Sequence, residues 1–299
     1  MSKKEVINRY SLIINRIRKS PATLKDINNY LERESEIQGY DFRISKRTLK
    51  RDLEDIFSLY KIDIQYDFST KVYRIVSQDE PDLNNRMLEA FDTFNALNQT
   101  EGISRFIHFE KRRPNGTENF HGILHAIQNS KMIKYIYHKY WNDEISTRLI
   151  APYGLKEFKN RWYVIGKDEK DGEVKTFGLD RITQLEITAK KFNYPSGFDL
   201  NERFANCFGI INPKDLKPEK IVLSFDVEQG KYIKSFPLHS SQQVLKDNAQ
   251  EFQISLNVLT SFDFIMEILS YGDRVKIIQP KGLRNEIRNI YMRALENFR

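Results

Sequence analysis

Residues 43–51 read Arg-Ile-Ser-Lys-Arg-Thr-Leu-Lys-Arg, five basic residues in nine with no acidic one among them. Arg47 and Arg51 are spaced i and i+4, as are Lys46 and Lys50, so on a helix each pair stacks one turn apart. Guanidinium groups can fork a guanine edge or phosphate oxygens, whereas lysine ammonium groups act as point charges on the backbone. Ser45 and Thr48 add hydroxyls at a helix start, itself an anion site. Ser45, Lys46, Arg47, Thr48, Lys50 and Arg51 are therefore the candidate DNA-binding residues. Six neutralised phosphates would lower affinity about 10³-fold between roughly 50 and 200 mM salt. A merely solvated basic face is the alternative, and the neighbouring elements argue against it.

A second group of cations and rings lies downstream. Arg148, Tyr153, Tyr163 and Arg181 are candidate ligand-binding residues, because rings stack on bases while arginine forks phosphate oxygens. Tyr137, His138 and Lys139 could line the rim. Trp162, an aromatic in a short strand, is expected to pack inside, and Arg181 has the alternative of pairing with Asp180.

Catalytic chemistry finds less support. His121 and His125 have zinc-binding spacing, but Gly-Ile-Leu stands between them, with no glutamate to act as general base. There is no cysteine cluster, Walker loop or nucleophile elbow, and the carboxylates are scattered among lysines and arginines. No catalytic residue, metal site or cofactor is expected, and the chain is not expected to be an enzyme. The single cysteine, Cys207, beside Phe208, reads as an inert packed thiol. It rules out a disulfide within the chain and suggests a reducing, cytoplasmic setting.

The 299 residues suffice for two or three domains, and 40% are hydrophobic, enough for a sizeable core. The net charge of +7 fits a polyanion partner. No run of eighteen apolar residues suggests a membrane span, and the start lacks the apolar core of a signal peptide.

The elements that must position the basic segment can be read from periodicity. Val6, Tyr10, Ile13, Ile14 and Ile17 share one face of a helix over 5–19, which Ser20-Pro21 ends. Thr23, with Asp26 three residues on, caps a second helix carrying Leu24, Ile27 and Leu31. A polar stretch from Glu34 to Asp41 makes a long connection. Ser45 caps the third helix, whose apolar stripe is Leu49, Leu53, Ile56 and Phe57. Strand candidates Asp63–Tyr66 and Lys71–Val76 follow. Three helices and a hairpin make a winged helix-turn-helix.

Asp79-Glu80-Pro81-Asp82 reads as a linker. Helical spacing returns at Leu83, Met87, Phe91 and Phe94, and again at Phe120, Ile123, Leu124 and Ile127 after Thr117, with Lys111–Gly116 as an exposed loop between. These helices could form a dimer interface or simply pack on their neighbour. From Met132 five short strands follow, Met132–Tyr140, Ser146–Ala151, Arg161–Lys167, Val174–Leu179 and Leu185–Lys190, which suggests a small barrel. A connector with helical tendency covers 192–210. Strands at Lys220–Val227, Glu251–Val258 and Arg274–Gln279 and helices at Phe262–Leu269 and Leu283–Phe298 complete the chain.

Ser45-Lys46-Arg47-Thr48-Leu49-Lys50-Arg51-Asp52-Leu53 resembles the recognition helix of DeoR-like helix-turn-helix regulators, with Val72-Tyr73 where that group usually has Gly-Tyr. Arg148-Leu149-Ile150-Ala151-Pro152-Tyr153-Gly154-Leu155, then Trp162-Tyr163-Val164 and Thr176–Ile182, resemble a WYL domain, a barrel of the Sm or SH3 kind. Val164 replaces the signature leucine, and Lys175 and Gly178 stand where arginines are common. Ser270–Val275 with Pro280, Leu283 and Arg284 resembles the C-terminal extension of such proteins.

The resulting expectation is an α+β multidomain chain. A winged helix-turn-helix occupies 1–78, a helical linker or dimerisation region 79–131, the WYL barrel 132–192, a connector 193–216 and a C-terminal α/β extension 217–299. The resemblance implies a transcriptional regulator of the repressor kind, acting as a homodimer on a double-stranded DNA operator. Its expected effector is single-stranded DNA, an oligonucleotide or a cyclic nucleotide, and phage defence or DNA damage is the implied setting. The competing reading is a nucleic-acid-processing enzyme or an accessory subunit of a defence system. A protein-binding scaffold is a third.

Overall fold

The computed structural model describes residues 3–78, 86–90, 93 and 116–298. The chain divides into two compact units, Met1–Glu110 and Lys111–Arg299. Of the expected linker helices, Leu83, Phe91 and Phe94 lie outside the described residues, as does most of the loop from Lys111. Residues 86–90 are helical, and Leu88 is buried in the first unit's core.

The first unit contains α1 (Lys3–Lys19), α2 (Leu24–Gln38), α3 (Lys46–Tyr60) and the antiparallel pair β1 (Ile62–Asp67) and β2 (Val72–Gln78). Apolar stripes from all three helices meet in a core of Ile13, Ile14, Ile27, Leu31, Leu49 and Ile56. Thr23 and Asp26 form the expected capping box, which satisfies backbone donors at the start of α2. The second helix runs further than the polar composition suggested. It continues through Glu34 to Gln38 and stops at Gly39 in the left-handed region, φ 72°. The connection to α3 is correspondingly shorter than the sequence reading had it. Ala22 and Tyr73 exchange backbone hydrogen bonds, tying β2 to the turn before α2.

The second unit begins with a short turn at Thr117–Asn119 and α4 (Phe120–Gln128). Five antiparallel strands follow: β3 (Lys131–Lys139), β4 (Glu144–Phe158), β5 (Arg161–Asp168), β6 (Val174–Gly178) and β7 (Ile182–Lys191). Their order across the sheet is β6-β5-β4-β3-β7. The outer strands β6 and β7 are joined by the single turn Leu179–Arg181. In a flat sheet those edges would stand about 19 Å apart, at roughly 4.8 Å per strand. One turn spans well under that, so the sheet must curl. The Tyr137 hydroxyl of β3 accepts from the backbone N–H of Gly178 on β6, at 3.3 Å, across two intervening strands. Ile133, Tyr135, Ile150, Val164 and Phe177 fill the concave side, and α4 contributes Ile123 and Ala126. Gly166 lies opposite Pro152, and a Cβ there would stand 2.6 Å from the Ala151 carbonyl oxygen.

A short helix, α5 (Leu200–Phe204), leads to a second antiparallel sheet. It contains β8 (Glu219–Phe225), β9 (Gln243–Asp247), β10 (Phe252–Val258) and β11 (Val275–Gln279) in the order β11-β8-β10-β9. Helices α6 (Val227–Ser235) and α7 (Phe262–Ser270) connect these strands, and α8 (Lys281–Glu296) closes the chain. This is a split βαβ arrangement. Cys207 is buried with Ile165, Phe204 and Leu259, and burial pushes its thiol pKa up. Among the described residues no helix is long and apolar enough to cross a membrane.

Candidate nucleic-acid interface

Helix α3 is fixed before its cations are considered. Ser45 is its N-cap, with Oγ accepting from the Thr48 N–H at 3.1 Å and lying 3.0 Å from the Thr48 hydroxyl. The preceding turn is held by Asn28, whose amide donates to the Ile44 carbonyl and accepts from its N–H. On the buried side Arg9 of α1 grips Asp52 through two hydrogen bonds, Nε to Oδ2 at 2.7 Å and Nη2 to Oδ1 at 2.9 Å. Both side chains are almost wholly buried, 3% and 0% exposed. Tyr10 also donates to Asp55, at 2.5 Å. Two contacts from α1 thus set the rotation of α3 about its axis.

That rotation sends Lys46, Arg47, Lys50 and Arg51 to the exposed side. Among the described residues Lys46, Arg47 and Lys50 have no ion-pair partner, and Arg51 only approaches Asp52 at 3.9 Å. Arg43 is different, since its guanidinium is engaged by Asp41 at 2.9 and 3.0 Å. Five of the six sequence-derived residues are thus brought to one exposed helix surface, and Thr48 is half-buried beside them. Phe57 is a correction. It was placed in the buried stripe, but it is 50% exposed and faces a groove between α3 and the hairpin. Tyr60 takes the buried position instead.

The four barrel residues are not brought together in the same way. Arg148 is 4% exposed and points into the sheet's concave side, where it donates to Asp168 at 3.0 Å and to Ser146 at 3.1 Å. Lys175 joins the same carboxylate at 3.0 Å and also contacts Asp171. Burial alone would raise the Asp168 pKa, but the Lys170 N–H, Lys175 and Arg148 outweigh it and hold the carboxyl below its usual range. Tyr153 belongs to a separate aromatic cluster with Phe192, Tyr194 and Phe198. Tyr163 is buried, 7% exposed. Arg181 is the more accessible of the two arginines, 24% exposed against 4% for Arg148. Its guanidinium lies 5.3 Å from the Tyr137 ring and 5.7 Å from that of Tyr140, and its Nε has no hydrogen-bond partner. Asp180 is 3.7 Å away, too far for a hydrogen bond, and itself accepts from Arg161. Trp162 is half-buried and meets Phe120 edge-on at 4.8 Å.

The sequence reading missed Tyr140 and Trp141 at the tip of the β3–β4 hairpin, 60% and 91% exposed. Adjacent aromatics next to an Asn-Asp turn were the available signal. His121 and His125 hold no third partner, and no group of three or more potential metal ligands occurs among the described residues.

An N-terminal helical unit with an exposed cationic helix, a curled five-stranded sheet and a split βαβ sheet define a mixed α+β chain. Residues 118–187 match the WYL domain and residues 217–295 the WCX domain. The second unit thus carries a WYL domain followed by a WCX domain. It is similar to the DNA-binding transcriptional repressor CapW of Escherichia coli, at 28% identity over 159 residues, covering 48% of this chain and 52% of that protein. It is also similar to Protein PafB of Mycobacterium tuberculosis, at 24% identity over 179 residues, covering 58% of this chain and 52% of that protein. The chain spans about half the length of the curated relatives it matches. A solved structure of proteasome accessory factor B/C from Arthrobacter aurescens matches over 96% of this chain and 46% of its own, with 17% identity and a TM-score of 0.33.

Proposed function

We propose that this chain is a sequence-specific DNA-binding transcriptional regulator, a repressor rather than an enzyme, working as a cytoplasmic homodimer on an operator. The observation that carries the reading is the capped, locked helix α3, with Lys46, Arg47 and Lys50 exposed and unpaired. In this reading α1–α3 and the β1–β2 hairpin are a winged helix-turn-helix, and α3 enters the major groove. Arg47 and Arg51 read base edges or phosphates, while Lys46, Lys50, Ser45 and Thr48 hold the backbone. CapW, described as a DNA-binding transcriptional repressor, supports the assignment.

The curled sheet is read as an Sm-like WYL barrel that receives a nucleic-acid-derived effector. Arg181 between two tyrosine rings is the group best suited to meet it, since a stacked guanidinium retains free donors for phosphate. Effector binding shifts the population between arrangements that meet or miss two DNA half-sites. The test is selection of duplex DNA from a random pool by the full chain. Recovery of a two-fold symmetric site, with binding abolished in Arg47→Ala plus Arg51→Ala, is the expected result. Equal affinity of wild type and variant for the selected DNA would end the assignment.

A further inference from the structure

The exposed face of α3 carries a feature that phosphate binding alone does not explain. Between α3 and the hairpin runs a groove of about 820 Å³, within the usual range for small-ligand sites. Leu53, Phe57 and Ile64 make apolar walls, continued by the rings of Tyr73, Tyr66 and Phe68. Those three rings form a ladder with successive centroids 5.0 Å apart. Phe68 is 85% exposed, yet its position is set by this ladder and by Asp67, which accepts from the Ser69 N–H and hydroxyl. Lys46, Arg47 and Lys50 stand along the groove toward the start of α3. Glu54 stands one helical turn beyond Lys50, ahead of Phe57, and Asp63 stands by the end of α3, because Ile62 follows the helix after only one residue. The groove thus combines cations near the start of α3 with aromatic walls and two carboxylate acceptors further along.

We propose that this groove is a binding site for a purine nucleotide bearing an exocyclic amine. The phosphate lies on Lys46, Arg47 and Lys50, the ring stacks among Phe57, Tyr66 and Phe68, and the amine donates to Glu54 or Asp63. About sixteen ångströms separate residues 46 and 57 along the helix axis, at 1.5 Å per residue, which accommodates a mononucleotide. The same three cations are assigned to DNA, so nucleotide and operator exclude each other. This places a second point of control on the DNA-reading unit itself, apart from the barrel. It rests on the DNA-binding assignment only for that competition.

Calorimetric titration of the full chain with adenosine monophosphate tests it, with thymidine monophosphate, adenosine and inorganic phosphate as comparisons. Adenosine monophosphate is expected to bind at least about tenfold more tightly than each of the others, since thymidine monophosphate lacks the amine, adenosine the phosphate, and inorganic phosphate both ring and amine. Phe57→Ala and Phe68→Ala remove exposed rings without opening the core, and each should weaken binding about tenfold, the scale of one base–aromatic stack. Unchanged affinity in both variants would place the nucleotide elsewhere and overturn the proposal. So would equal affinity for adenosine monophosphate and inorganic phosphate. If wild type binds selected DNA in an Arg47-dependent way but takes up no nucleotide, this inference fails and the DNA assignment stands. If nucleotide binds in the Phe68-dependent way and DNA does not, the reverse holds.

Discussion

Arg9 and Asp52 meet through two parallel hydrogen bonds in the dry interior between α1 and α3. Asp52 belongs to the same nine-residue motif as the exposed cations, but it points the opposite way, toward the core. One face of the motif is offered to a partner, and the other fixes how that face is presented.

Removing one member of this pair strands the other in the core. Asp52→Ala should destabilise the first unit by about 3–5 kcal/mol, the usual cost of an uncompensated buried charge. Replacing both partners, Arg9→Met with Asp52→Leu, should cost clearly less than Asp52→Ala alone. Denaturant unfolding of wild type and the two variants compares them directly, and equal losses would show that the pair is not what locks α3.

The exposed lysines should act mainly through salt. Lys46→Ala and Lys50→Ala should each reduce the slope of log affinity against log salt by about 1, whatever the DNA sequence. Arg47→Ala should in addition relax preference at one base position, at a cost of roughly 1–3 kcal/mol. Fluorescence anisotropy at several salt concentrations, with matched and scrambled duplexes, measures both effects.

Lys61 ends α3 in the left-handed region at φ 53°, a conformation that costs a side chain with a Cβ. Lys61→Gly should therefore stabilise the first unit, by roughly 1 kcal/mol. A rise in thermal midpoint is the expected reading, and a fall would show that the lysine makes a compensating contact.

Arg148 and Arg181 should behave differently on truncation. Arg148→Ala leaves Asp168 buried with only Lys175 as a charged partner, so it should lower the melting temperature of the second unit. Arg181→Ala removes a stacked, half-exposed cation and should leave melting nearly unchanged while abolishing uptake of short single-stranded DNA. Both measurements are made on the same two variants, and the opposite pattern would exchange the two roles.

Acid should expose the same carboxylate. Asp168 is held below the usual carboxylate range in the folded chain, so the folded state resists its protonation. Its stabilisation is present in full above the unfolded value of about 3.9 and is lost as pH falls through the lower folded value. The stability gap between wild type and Asp168→Asn should thus be constant from pH 7 to about 5 and shrink below about 4. A gap that widens in acid would contradict the shift.

Local chemistry made much of this legible. Thr23, Ser45 and the strands from Met132 to Lys191 announced themselves through caps, β-branched runs and turn residues, and their edges fell within about three residues of expectation, except that β4 runs on past Ala151 to Phe158. Strand β9 went unread because all five of its residues are exposed, so no alternation marks it. Helix α6 carries Gly230, which reads as a breaker until Phe252 is seen packed where a Cβ would stand. The barrel residues were harder, because strand alternation separates Arg148 from Tyr153 and sends them to different clusters. Nor could periodicity show that Phe57 faces a hairpin wall instead of the core.

The turn Leu179–Arg181 joins the two outer strands of the five-stranded sheet and carries Arg181, the more accessible of the two sequence-assigned barrel arginines. Arg181 therefore sits on a buckle. A group that held its guanidinium would bear on the joint where the two edges of the sheet meet.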